Sequence, residues 1–129
     1  MIKWKELIKY HLNAPKTSIF IRHPNIQTDY DIHKKTITSL KQHIMKKELH
    51  NKLKWNIVDN NFPYNLDDGI KHKLLWIHPD VILSDNKIKT IIDRYITLNN
   101  YNQYIYFQNH ENNRSVPEIK HYHIFINTD

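Results

Sequence analysis

Ile70-Lys71-His72-Lys73-Leu74-Leu75-Trp76-Ile77-His78 is the stretch that decides the fold. Its second half is a continuous apolar run of strand length, and Pro79 closes it, so it reads as a buried β-strand. Working outward, Trp55-Asn56-Ile57-Val58 is a second strand, ended by Asn60-Asn61 and Pro63. Tyr104-Ile105-Tyr106-Phe107 and His121-Tyr122-His123-Ile124-Phe125-Ile126 are two more, with a polar loop between them.

Helical spacing fills the rest. Trp4, Ile8 and His11-Leu12 share one stripe of a short amphipathic helix over 3–12, which Pro15 helps to end. Ser18-Ile19-Phe20-Ile21 forms a short strand or an extended lead-in, and Arg22-His23-Pro24 turns the chain. A long helix over about 29–53 is expected from Ile37, Leu40, Ile44, Leu49 and Leu53. Ser84 or Asp85 caps a helix through Leu98 that turns Ile88, Ile91, Ile92 and Tyr95 inward. The order predicts an α+β fold: one domain over 1–129, a mostly antiparallel sheet of about four strands, and helices packed on one face.

Composition narrows the function classes. A chain of 129 residues, 40% hydrophobic and 12% aromatic, can bury a core of its own. With no cysteine there is no disulfide framework, thiolate nucleophile or cysteine-held metal. No apolar run approaches a membrane span, and the charged start Lys3-Trp4-Lys5-Glu6 is unlike a signal peptide, so the expected place is the cytoplasm, without a membrane partner. A formal charge of +6, with ten histidines besides, favours polyanions: nucleotides, RNA or other phosphorylated ligands. One Gly and one Ala among abundant Ile, Asn and Lys look like AT-rich coding, which discounts part of that charge.

Three motifs resemble the N-acetylglucosamine-induced protein family, best represented in fungi. They are Asn61-Phe62-Pro63-Tyr64 with Gly69, His72 and Trp76; Phe107-Gln108-Asn109 leading to Arg114-Ser115-Val116-Pro117-Glu118; and His121-Tyr122-His123-Ile124-Phe125. Arg22 before Tyr30, and Leu53-Lys54-Trp55, are similar to the family more loosely. The resemblance implies one such domain over nearly the whole chain, and no activity, since none is assigned to the family. Short loops together with the AT-rich usage fit a viral member, placed in the host cytoplasm.

The candidate site gathers on the last strand. Residues two apart on a strand share a face, so His121 and His123 project side by side and are the catalytic candidates. With His72 as a third nitrogen they form a candidate site for a divalent metal, but no carboxylate stands at ligand spacing, so no cofactor is expected. The pair is similar to histidine-triad nucleotide hydrolases, yet Phe125 replaces the third histidine and the gap from Val116 to His121 is too long. Asn109, Arg114 and Ser115 supply a polar loop edge on which Arg114 can grip a phosphate. Tyr104 and Tyr106 alternate on one strand face, placed for base stacking. The Lys34-Lys35 and Lys46-Lys47 pairs read as a solvated helix surface.

Three functions follow in order. The first is a binding module for a phosphorylated or nucleotide-like ligand, or RNA, in a basic recess of His72, Tyr104, Tyr106, Asn109, Arg114, Ser115, His121 and His123. The second is a small phosphoester or nucleotide hydrolase built on His121 and His123. The third is an adaptor for a protein partner.

Overall fold

The strand-forming segments assemble as their apolar patterns require. The computed structural model describes residues 1–13, 22–36, 40–108 and 119–129. The extended piece expected over 18–21, and the loop carrying Asn109, Arg114 and Ser115, lie outside the described residues. Among the described residues, β1 (Trp55–Asp59), β2 (Ile70–Ile77), β3 (Gln103–Phe107) and β4 (His121–Asn127) form one antiparallel sheet in the order β1-β2-β4-β3. The two central strands, β2 and β4, carry the most continuous apolar runs because both of their faces are covered. This is the expected α+β architecture with its four strands.

Helix α4 (Asp85–Leu98) covers one face. Ser84 caps it by accepting from the Lys87 backbone N–H at 3.1 Å, and Ile88, Ile92 and Ile96 pack on Leu75, Ile77, Ile124 and Ile126. The other face is covered as well, so the expected one-sided packing gives way to helices on both sides. Leu7 of α1 (Trp4–Asn13) joins Ile2, Tyr64 and Phe125, while Ile44 and Met45 of α3 (Leu40–Lys47) pack with Leu49 over Leu74 and Trp76. Alternation explains the difference. Leu74, Trp76 and Phe125 point away from Leu75 and Ile124, and both rows need a cover.

The long helix expected over 29–53 is also replaced. Helix α2 spans Pro24–Thr36 and α3 ends at Lys47, with Pro24 in the first-turn position that proline tolerates. Beyond α3, His50 and Asn51 adopt left-handed backbone angles, φ 52° and 58°. That turn drives Leu49 wholly into the core and releases the chain toward β1. The helical spacing of Leu49 and Leu53 therefore reflected burial through a turn. No helix among the described residues is long and apolar enough to cross a membrane.

Candidate functional site

The face of the sheet opposite α4 carries the histidines. Register sets His72 against Phe125, Leu74 against His123 and Trp76 against His121, so these six side chains share one face. His72 and His123 are diagonal neighbours across β2 and β4, with His72 Nε2 and His123 Nδ1 2.8 Å apart. All three histidines are buried, between 5% and 8% exposed. Rings enclose them: Phe125 stacks on His72 with centres 4.5 Å apart, Tyr64 lies 4.8 Å from His72 and 5.5 Å from His123, and Trp76 lies 4.5 Å from His121.

Hydrogen bonds tie the three histidines to the backbone, to Asn60 and to one another. A carbonyl only accepts, so His121 Nδ1, 2.9 Å from the Ile119 oxygen, carries its hydrogen. Asn60 Oδ1 accepts from the Phe62 backbone N–H at 2.9 Å, which turns the Asn60 amide nitrogen toward the His72 ring. The Tyr64 backbone N–H points to His72 Nδ1 at a long 3.5 Å. The Asn60 amide nitrogen lies 3.3 Å from both His72 Nδ1 and His72 Nε2, and His72 Nε2 and His123 Nδ1 are bridged by one hydrogen bond.

Burial keeps this relay uncharged. Desolvation, with a contribution from the Arg22 charge, pushes His72 down to about 3. Burial first, then His72, His121 and Arg22, holds His123 well below the usual histidine range. Neither ring is an imidazolium near neutral pH.

Arg22 supplies the positive charge. Its Nε donates to the Phe62 carbonyl at 2.7 Å, and its guanidinium lies 4.1 Å from the centre of the Tyr30 ring and 5.3 Å from that of Tyr64. Clamped between two rings and a carbonyl, the group is held in place with its planar fork presented as a unit. It borders a recess of about 80 Å³. Tyr30 and His33 from α2, His43 and Lys47 from α3, and Asn60 and Phe62 from the loop after β1 form its walls, over a floor of Trp76, His121 and His123. The two carboxylates at the rim are already matched: Glu48 lies 3.9 Å from Lys47, and Asp59 pairs with Lys73. Among the described residues no carboxylate pairs with Arg22. The His33 and His43 ring centres are 5.1 Å apart, and burial followed by His43 and Lys47 lowers the His33 pKa.

The structure thus gathers His72, His121 and His123 as the strand geometry requires, though beneath a cover of helices and loop. Tyr104 and Tyr106 are a correction. They stand opposite Ile126 and Ile124, on the face packed against α4, while Ile105 and Phe107 take the histidine side. No stacking platform forms there beside the histidines. Asn109, Arg114 and Ser115 are outside the described residues. As a metal site the histidine trio has the wrong geometry, because His72 Nε2 and His123 Nδ1 face each other. Among the described residues no three His, Asp or Glu groups are arranged to hold an ion. Sequence reasoning missed Arg22, Tyr30, His33, His43 and Asn60 as site residues. A signal existed for Arg22 and Tyr30, which belong to the front-half resemblance, and for Asn60, which adjoins the Asn61-Phe62-Pro63-Tyr64 motif.

Comparison with known proteins adds fold and family. The solved structure described as "Crystal Structure of HTC1" superposes with a TM-score of 0.70, covering 100% of this chain and 86% of that chain at 19% identity. At that identity the likeness is one of fold. No curated protein matches. The family described as "Protein of unknown function (DUF3605)" matches residues 3–127, a span that takes in Arg22, His72 and both late-strand histidines. The chain belongs to the DUF3605 family.

Proposed function

We propose that this chain is a binding module for a phosphorylated or nucleotide-like ligand, RNA included, whose anionic head enters the recess beside Arg22. One observation carries the reading: a ring-clamped guanidinium with no carboxylate partner among the described residues, bordering a small recess. Size refines it. A water needs roughly 10–15 Å³ and drug-sized ligands occupy roughly 300–1,000 Å³, so about 80 Å³ suits a head group rather than a whole nucleotide. The remainder of the ligand would lie across Tyr30, His33, His43 and Lys47 at the mouth. The net charge of +6 assists approach.

A thermal-shift and calorimetry panel of inorganic phosphate, nucleoside monophosphates and short single-stranded RNA tests this, at two salt concentrations. Arg22→Lys keeps the charge and loses the fork. Each charge-assisted hydrogen bond is worth about 1.5–3 kcal/mol, so affinity should fall roughly tenfold or more. Tyr106→Phe, on the far face, should leave it unchanged. No binding by any panel member, or equal binding by Arg22→Lys, refutes the proposal and leaves the adaptor for a protein partner as the better reading.

The hydrolase alternative would use His121 and His123, which share one face of the last strand and the floor of the recess. Phosphate release in the same panel distinguishes hydrolysis from binding. Within the family, the Phe62-Pro63-Tyr64 and His121-Tyr122-His123 motifs support a place among the N-acetylglucosamine-induced proteins. A cytoplasmic location rests on the sequence features alone, and viral provenance on short loops and residue usage.

A further inference from the structure

We propose that the outer edge of β1 joins two copies of this chain, strand against strand, about a twofold axis through Ile57. The pairing does not depend on the anion reading.

The backbone sets out the edge. β1 ends the sheet on one side. The His78 N–H donates to the Lys54 carbonyl at 2.8 Å and the Asn60 N–H to the His72 carbonyl at 3.1 Å, so by alternation Asn56 and Val58 also bond to β2. The N–H and C=O groups of Trp55, Ile57 and Asp59 therefore point outward, and among the described residues no backbone group meets them. The other edge strand, β3, has α1 against it, with the Tyr10 and Phe107 ring centres 5.0 Å apart. Proteins blunt open edges with proline, a bulge or inward charge. Register from Trp55 to Asp59 is unbroken, and the strand holds no proline and no charge before its last residue.

Charge complementarity names a second copy as the occupant. An antiparallel pair centred on Ile57 sets the two Ile57 residues opposite each other and each Trp55 opposite the other copy's Asp59. Trp55, Ile57 and Asp59 align with Ile77, Leu75 and Lys73, so their side chains share the α4 face. On that face the exposed Lys87 holds its Nζ 5.7 Å from the centre of the Trp55 ring. Asp59, 76% exposed, gives Oδ1 to Lys73 and keeps Oδ2 uncommitted. In the pair each Asp59 arrives across from a Trp55 and brings that carboxylate to the Lys87 above it. The two ion pairs flank the central Ile57 contact, and each outward backbone group gains a partner. An extended peptide of another sequence would match the backbone alone. Because the axis stands perpendicular to the sheet, both α4 helices lie on one face of the joined sheet and both recesses on the other.

Sedimentation equilibrium of the wild-type chain at low salt, from about 1 to about 500 μM, tests the pairing. A monomer–dimer equilibrium is expected within that range, weakened by added salt. Lys87→Glu sets carboxylate against carboxylate at both ends and should raise the dimer Kd roughly tenfold or more. The change keeps the fold, since an acid three residues after the Ser84 cap suits the first turn of α4. Lys87→Arg should stay within about twofold of wild type. Asp59→Lys should weaken the dimer as Lys87→Glu does. Mixing those two variants should restore a dimer with one chain of each, because opposite charges then meet at both ends. Where Asp59→Lys fails to fold by circular dichroism, Lys87→Glu and Lys87→Arg decide alone. A wild-type chain that stays monomeric throughout overturns the proposal and leaves the edge to an extended segment of a different protein. A dimer that Lys87→Glu leaves within about twofold of wild type, or two folded variants that stay monomeric when mixed, would overturn it as well.

Discussion

Lowering the pH from 7 to 5 should weaken this protein well before its carboxylates titrate, because two histidines are folded away uncharged. His72 falls from an ordinary 6.5 to about 3 on folding. Between those values the unfolded chain binds the extra proton and the folded chain does not, so stability is complete above pH 6.5 and is lost as the pH drops toward 3. Each such group gives a slope of about 1.4 kcal/mol per pH unit. At pH 5, some 1.5 units below the unfolded value, His72 alone costs about 2 kcal/mol. His123, lowered in the same direction, adds to the loss. Domains of this size hold roughly 5–15 kcal/mol in total, so the shift is large enough to read directly. Urea unfolding at pH 7, 6 and 5, followed by fluorescence of the three tryptophans, measures it. His33 contributes with the same sign, which makes a variant necessary to isolate the relay. His72→Phe removes the partner of His123 and should cost about 1–3 kcal/mol at pH 7. Its pH slope should be shallower than wild type by about 1.4 kcal/mol per unit. A urea midpoint that does not move between pH 7 and 5, or a variant with the full wild-type slope, would refute the claim that these rings are buried neutral.

Two further substitutions probe the frame that holds the site. Phe125→Ala empties a wholly buried position that stacks on His72 at 4.5 Å and on Phe107 at 5.4 Å, and should lower the urea-unfolding free energy by about 3–5 kcal/mol; a loss under about 1 kcal/mol would mean that the histidine face is loosely packed. Ser84→Ala removes the cap of α4 and should cost about 1 kcal/mol in the same assay while leaving phosphate affinity unchanged, since α4 lies on the face away from Arg22.

Much of the architecture was legible because it is local. The apolar run Leu74 to Ile77, the Pro79 stop, the Ser84 cap and the inward spacing of Ile88 and Ile92 act over a few residues, and each formed where it was expected. The shared face of His121 and His123 was equally local, since a pleated strand leaves no other choice. The break after Lys47 was not, because Leu49 kept helical spacing while the chain turned beneath it.

From its residues alone, then, this chain specified an antiparallel α+β frame and placed two imidazoles on one side of its last strand. Tertiary structure decided the rest. Pairing of β3 with β4 sent Tyr104 and Tyr106 to the α4 face, where a slip of one residue would have sent them to the other. Cover on both faces buried histidines that an open sheet would have left in water, and so held His72 and His123 neutral. Arg22 reached the recess by way of a carbonyl 40 residues away. Strand partners, layer contacts and that bond all join residues distant in the chain, and no spacing within a short window encodes which of them will meet.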